Sequence, residues 1–195
     1  MQITDTVTLK GPHASLEPLT QAHCTELKAA VDDGEIWRLW YTNIPKPENM
    51  AAEIDRRRDM HAKGQWLPFA VRRCDNGAVC GMTNYMNIDA VNRRVEIGAT
   101  WYAASAQRTA VNTEAKLLLL AHAFEALKCI AVEFRTNFFN FPSRAAIARL
   151  GAKQDGILRN HLLMEGGGYR DTVVFSIIDS EWPMVKRNLQ AKLAR

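Results

Sequence analysis

The sequence predicts a single α/β domain of the α+β kind, with one central sheet, mixed but mostly antiparallel, flanked by helices. Three observations carry this. Alternating runs such as "WLPFAVRR", "AVCGMTNYMNI" and "RRVEIGATWY" succeed one another across short turns, which is the pattern of an antiparallel meander. A long helical run, "TEAKLLLLAHAFEAL", separates "RRVEIGATWY" from the β-rich "IAVEFRTN", as in a crossover between parallel strands. The 195 residues, 47% hydrophobic and 24% charged, are enough for one core without staples. No repeat or linker divides the chain. It reads as one domain over 1–195, with a core from about 7 to 180 and a terminal helix over 181–195.

Each element follows in order. "VTLKG" and "ASLEPL" form a short strand or hairpin. "TQAHCTELKAAV" is a helix with Thr20 as N-cap and Leu27 and Val31 on its apolar side. "DDGEIWRLWYTNIPKP" is irregular and aromatic. "ENMAAEIDRRRDMHAKG" is a helix stopped by Gly64, and its three arginines between Asp55 and Asp59 read as a solvated face. Two strands then flank the turn signal Asp75-Asn76-Gly77. A two-residue turn there sets Cys74 opposite Val79. After the crossover, "FPSRAAIARLG" is a helix closed by Gly151. "KQDGILRNHLL" and "RDTVVFSII" are strands joined by "MEGGGY", and "SEWPMVKRNLQAKLAR" is a helix capped by Ser180.

Composition excludes several classes. The net charge of +4 comes from interspersed charges, without the one-sided basic stretch of a nucleic-acid binder. No run approaches membrane-spanning length, and "MQITDTVTLKGPH" lacks the features of a signal peptide. Cys24, Cys74, Cys80 and Cys129 form no C-x-x-C pair, which argues against a zinc site. Reduced thiols fit a cytoplasmic location. The histidines show no metal or triad spacing, so no metal is expected.

Two stretches carry candidate chemistry. "QRTAVN", residues 107–112, lies at the start of the long helix. The first N–H groups of a helix lack partners and sit at its positive end, so this turn is a place for a pyrophosphate. It is equally readable as a capped loop. In "RRVEIGATWY", strict alternation puts Val95, Ile97, Ala99 and Trp101 on one face. Arg94, Glu96, Gly98, Thr100 and Tyr102 take the other. Gly98 leaves a gap beside Glu96, which is then either a general base on the floor of a groove or an exposed residue paired with Arg94.

From Glu96 to Gly151 the chain resembles the core of the GNAT superfamily of N-acetyltransferases. The loop Gln107-Arg108-Thr109-Ala110-Val111-Asn112 matches the family's Gln/Arg-x-x-Gly-x-Gly/Ala pyrophosphate loop, with Ala110 and Asn112 in place of its glycines. Asn112 can keep a left-handed conformation there. "NFPSRAAIARLGA" resembles the segment along the cofactor's arm. "LEPLTQAHCTEL" and "GGGYRDTVVFSIIDSEW" are similar to the Rim-type subgroup, which acetylates N-terminal residues of ribosomal proteins.

The resemblance implies direct transfer of an acetyl group from acetyl-CoA to a primary amine, either a peptide N-terminus or a small molecule. Glu96 would be the base, and Ser143 would hydrogen-bond the leaving sulfur. Ile147 occupies the place where many members carry a tyrosine. The cofactor would be held by Thr100, Trp101 and Tyr102 where the strands splay, by the loop from Gln107 to Asn112 with Thr113, and by Asn140 and Ser143. Trp37, Trp40 and Tyr41 are a pocket wall or a lid, core anchors or a dimer contact. Asn84, Tyr85 and Asn87 are polar groups placed near the acceptor. A homodimer follows the family's habit. The alternative reading is a non-catalytic CoA-binding sensor or scaffold.

Overall fold

The computed structural model describes residues 3–164 and 166–194. Its eight strands form one sheet in the order β1-β2-β3-β4-β5-β6-β8-β7. They are β1 (Leu9–Lys10), β2 (Ala14–Pro18), β3 (Leu67–Arg73), β4 (Val79–Asp89), β5 (Arg94–Tyr102), β6 (Ala131–Asn137), β7 (Lys153–Leu163) and β8 (Tyr169–Ile178). Every neighbouring pair is antiparallel except β5 with β6. Five helices flank it: α1 (Cys24–Asp32), α2 (Met50–Ala62), α3 (Ala110–Ala121), α4 (Phe141–Leu150) and α5 (Trp182–Leu193).

The parallel pair decides where a site can form. β5 and β6 are bonded only from Arg94↔Ala131 to Glu96↔Glu133. Beyond that point β6 stays with β8 along its whole length, while β5 stays with β4. The sheet therefore opens in its middle, between the far halves of β5 and β6.

Helix α3 is the spine behind the opening. Leu119, Leu120 and Ala115 are fully buried, and burying each leucine contributes about 2 kcal/mol. The helix continues as one wide π-type turn, His122–Ala126, against which Trp182 of α5 stacks through Phe124 at 5.4 Å. Apolar on most sides, α3 still buries two charged residues. The Glu114 carboxylate accepts the N–H groups of His13 and Ala14, closing the β1–β2 turn. Gly11 has no side chain because a Cβ there would lie 2.5 Å from that carboxylate. Lys116 is the second.

Several expectations need correction. The β3–β4 turn is longer than two residues: Arg72, not Cys74, lies opposite Val79. Helix α5 is capped by Glu181 rather than Ser180. The alternation along β5 breaks at Ala99, which takes φ 46° in a bulge where Asn84 faces Gly98 and Met82 faces Trp101. Past the bulge the faces exchange. Trp101 joins Gly98 and Glu96, while Thr100 turns toward α3. Arg57, read as solvated, is only 2% exposed.

Candidate active site

A cleft of about 670 Å³ runs through the opening between β5 and β6. On its α3 side lie Thr100, Tyr102, Asn112 and Lys116. On its α4 side lie Asn140, Ser143 and Ile147; Glu96 lines it with Arg135 and Arg170 close by, and Tyr41 lines it too.

Glu96 stands on the last paired position of β5, so the splay begins beside its side chain. It is 4% exposed and lines the cleft. Burial raises its pKa above the usual carboxylate range, against the opposing effects of the Asn87 hydrogen bond and the Arg135 charge. Asn87 Nδ2 donates to its Oε2 at 2.6 Å. That contact is built by a second bulge, where Asn87 takes φ 47° and leaves the β4 ladder. Arg135 Nε lies 3.5 Å from the same oxygen. Arg94 is not its partner: it pairs with Glu133. Gly98 gives the carboxylate room, since a Cβ there would lie 2.7 Å from Glu96 Oε1 and 2.6 Å from Met86 Sδ.

The bulge at Ala99 is held from the α2 side. Arg57 Nη1 donates to the Ala99 carbonyl at 3.2 Å and to Asn84 Oδ1 at 3.1 Å. Asn84 Nδ2 donates to the Gly98 carbonyl at 2.9 Å. Asn84 is thus a buried brace of the bulge rather than part of the cleft wall. Tyr85 is core: its hydroxyl donates to the Leu119 carbonyl at 2.5 Å, on the α3 face.

The polar turn before α3 is built differently from expectation. Thr109 is the N-cap, and its Oγ1 accepts the Val111 N–H at 3.3 Å while donating to the Ala106 carbonyl at 2.7 Å. The residue with positive φ is Arg108, at 59°. Ala110 and Asn112 are helical, so neither position needs glycine's freedom. Gln107 Nε2 donates to the Tyr102 carbonyl. Of this segment Asn112 lines the cleft. Gln107, Arg108, Thr109, Ala110 and Val111 are not among the residues that line it, and Thr113 is buried in α3.

At α4, Asn140 is the N-cap: its Oδ1 accepts the Ser143 N–H at 3.0 Å. Both side chains line the cleft. Tyr41 lines it as well. Trp37 packs on the core, and Trp40, 62% exposed, rests against Phe139 at 5.7 Å.

Residues of the lining also carry buried polar atoms that no described residue bonds. Tyr102 Oη and Trp101 Nε1 are buried and unbonded among the described residues, on two residues that line the cleft. A ligand carrying amide and carbonyl groups fits such a lining, and the N–H groups of the first turn of α3 beyond the one that Thr109 caps suit a phosphate. Lys116 was missed in the sequence. It is 7% exposed and, among the described residues, its Nζ reaches only hydroxyls, Thr100 Oγ1 at 3.1 Å and Thr83 Oγ1 at 3.4 Å. Burial lowers its pKa to about 7. Arg57 and Arg170 were missed too. Arg57 carried a signal, since Met50, Ile54 and Arg57 fall on one helical stripe. Cys129 is a buried core thiol, pushed up to about 11 by burial.

Residues 14–153 match the acetyltransferase (GNAT) domain family. The chain belongs to the GNAT acetyltransferase family. This GNAT chain is 35% identical over 107 residues to YdaF of Bacillus subtilis (strain 168), a protein named for an unproven ribosomal N-acetyltransferase activity. That match spans 55% of the chain and 57% of the relative, so the chain covers little more than half of the curated protein. A GCN5-related N-acetyltransferase from Brucella melitensis superposes with a TM-score of 0.86 at 32% identity, covering 97% of this chain and 86% of that one. RimJ of Mycobacterium smegmatis, solved with CoA-disulfide, shares the fold with a TM-score of 0.81 at 22% identity, covering 98% and 97%. No helix among the described residues is long and apolar enough to cross a membrane.

Proposed function

We propose that this GNAT protein transfers an acetyl group from acetyl-CoA directly to a primary amine, with a protein N-terminus as the favoured acceptor. The observation that carries the reading is the position of Glu96. A buried carboxylate of raised pKa sits where β5 and β6 part, in a cleft that reaches the N-terminal half of α3.

The amides at the start of α3 receive the pyrophosphate, and the cleft between α3 and α4 receives the pantetheine arm. Thr100, Trp101 and Tyr102 line that arm, as do Asn140 and Ser143. Glu96 takes a proton from the incoming ammonium, directly or through a water, because only the free amine can attack a carbonyl carbon. The bulge at Ala99 presents the following backbone N–H groups to the thioester oxygen. Ser143 donates to the departing sulfur. Tyr41 and the neighbouring Trp37 and Trp40 shape the acceptor's approach. The support for a protein acceptor is the resemblance to ribosomal-protein acetyltransferases, including the name YdaF carries. Four unpaired cysteines support a cytoplasmic setting, and the exposed apolar side chains of β7, Ile157, Leu158, Leu162 and Leu163, support a homodimer.

The test begins with thermal shift against CoA, acetyl-CoA and ATP. A ligand bound only by the folded state must raise the melting temperature, and both CoA species are expected to do so well beyond ATP. Thiol release with an amine panel follows. Glu96→Gln is expected to lower kcat at least hundredfold while the CoA-induced shift persists. The wild-type rate is expected to fall on the acid side at a pH above the ordinary carboxylate range, since a protonated Glu96 cannot accept the proton. CoA binding without transfer to any amine would replace catalysis with a non-catalytic CoA-binding role. Full activity in Glu96→Gln would remove Glu96 as the base.

A further inference from the structure

The charges lining the cleft are unequal. Glu96 is its single carboxylate among the described residues, against Arg57, Lys116, Arg135 and Arg170. Their obligations differ. Arg57 is committed to Glu53, Asn84 and the Ala99 carbonyl. Lys116 points to hydroxyls on the α3 side. Arg135 divides itself between Glu133 at 2.9 Å and Glu96 at 3.5 Å.

Arg170 remains. It lies near the start of β8, opposite Leu162 of β7. No carboxylate among the described residues comes within ion-pair distance of it, and its Nε is buried without a partner. The neighbouring Asp171 is taken by Arg159 and the Asn160 N–H. Glu96 is the charge that Arg170 feels, which places the two at the same end of the cleft. His161 lines this end as well, its Nδ1 fixed at 3.0 Å from Thr172 Oγ1.

An unpaired, partly desolvated guanidinium is costly to keep and favours a planar anionic partner that it can hold with two parallel hydrogen bonds. On that reading the phosphates of the donor do not supply the partner, since it puts them at the start of α3, whose residues 107–111 are not part of the cleft lining. The partner at this end must come in with the acceptor.

Resting on the acetyl-transfer reading above, we propose that the acceptor carries a carboxylate a few bonds from its amine, and that Arg170, flanked by Arg135 and His161, binds that carboxylate while the amine faces Glu96. Two sources share this chemistry: an acidic side chain at the start of a peptide, and the α-carboxylate of a free amino acid. An acceptor that is purely cationic, such as a polyamine, meets two guanidinium groups, Arg135 and Arg170, for one carboxylate, Glu96.

Matched acceptors test it. The full chain with acetyl-CoA is given peptides beginning Asp or Asn, and Glu or Gln, together with free alanine against alaninamide and with spermidine. We expect kcat/KM at least tenfold higher for the acid of the preferred pair, with the peptide and free-amino-acid arms identifying the source. Arg170→Gln is expected to reduce the acid-to-amide ratio to within threefold, and Arg170→Lys to restore part of it. A preference for amides or spermidine, or a ratio that Arg170→Gln leaves intact, overturns the proposal. Calorimetric titration of the CoA-saturated protein with the same pairs separates the two readings. If no amine is acetylated, Arg170-dependent binding of the acids keeps this inference and discards the transfer reading. Absence of such binding discards this inference as well.

Discussion

Two buried cations approach β5 from opposite faces within one residue of each other. Arg57 of α2 donates to the Ala99 carbonyl, and Lys116 of α3 donates to the Thr100 hydroxyl. They are buried alike, 2% and 7% exposed, and are solved in opposite ways. Arg57 has a carboxylate, Glu53 Oε1 at 2.6 Å, and two carbonyl-type acceptors. Among the described residues Lys116 has only hydroxyls. A guanidinium stays charged in a protein and so must be given a counter-charge, whereas an amine can give up its proton instead. One strand is thereby gripped by a permanent charge on one face and by a titrating one on the other. The comparison teaches that burial alone does not say what a basic residue does; its acceptors do.

Replacing Arg57 gives the largest effect. Arg57→Met leaves Asn84 Oδ1 without its donor, leaves the Ala99 carbonyl only the longer Asn84 Nδ2 contact at 3.4 Å, and leaves Glu53 only Arg56. The expected loss is about 3 kcal/mol, a fall in melting temperature of roughly 6–12 °C. Because the bulge loosens, the shift produced by acetyl-CoA should shrink as well. A variant that melts and binds like the parent would show that Arg57 is no strut.

Lys116→Met moves stability in the opposite direction. Burial lowers the folded-state pKa to about 7, against 10.5 for the ordinary side chain. Between those values the unfolded chain binds more protons, so stability from this group grows as pH rises toward 10.5. Below about 7 the full penalty of a buried ammonium is present. The methionine variant should therefore melt higher by about 5 °C at pH 6, with the gap closing progressively above pH 7. A pH-independent difference between the two proteins would mean that Lys116 does not titrate in the folded state.

The same pair explains what was legible in the sequence. Strand and helix order followed from periodicity, because each element's pattern is local: β7 was read over Lys153–Leu163, as observed. Glu96 was singled out by a strand's alternation and does line the cleft, whereas the polar turn at 107–112 pointed to the start of α3, of which Asn112 lines it. Arg57 was hidden by its neighbours, since Arg56, Arg58, Asp55 and Asp59 make the segment look solvated. Its signal was the seven-residue spacing from Met50 through Ile54. Lys116 and Arg170 had no local signal, because their environments come from β4, β5 and β7, distant in sequence. The Ala99 bulge was illegible for another reason. A non-glycine residue at φ 46° is held by Arg57 and Asn84, tertiary partners, so the exchange of faces that follows it cannot be read from β5 alone.

The smallest effect sharpens the contrast on the lysine side. Thr83 is fully buried, its Oγ1 lies 2.7 Å from Thr100 Oγ1, and Lys116 Nζ reaches it at 3.4 Å. Thr83→Val keeps the shape and removes one hydroxyl, so the hydroxyl pair and the longer lysine contact are lost together. A net hydrogen bond of this kind contributes about 1 kcal/mol. The hydroxyls matter more to the ammonium than to the neutral amine, since the ammonium has three protons to place and a charge to solvate. Destabilisation by Thr83→Val should accordingly be larger at pH 6 than at pH 9. The Lys116→Met background should remove that pH dependence, because no titrating amine remains to feel the missing hydroxyl. Melting curves of the two single variants and the double variant at both pH values measure this directly. Equal losses at the two pH values in the Lys116 protein would sever the hydroxyls from the lysine's charge and leave Thr83 as packing alone.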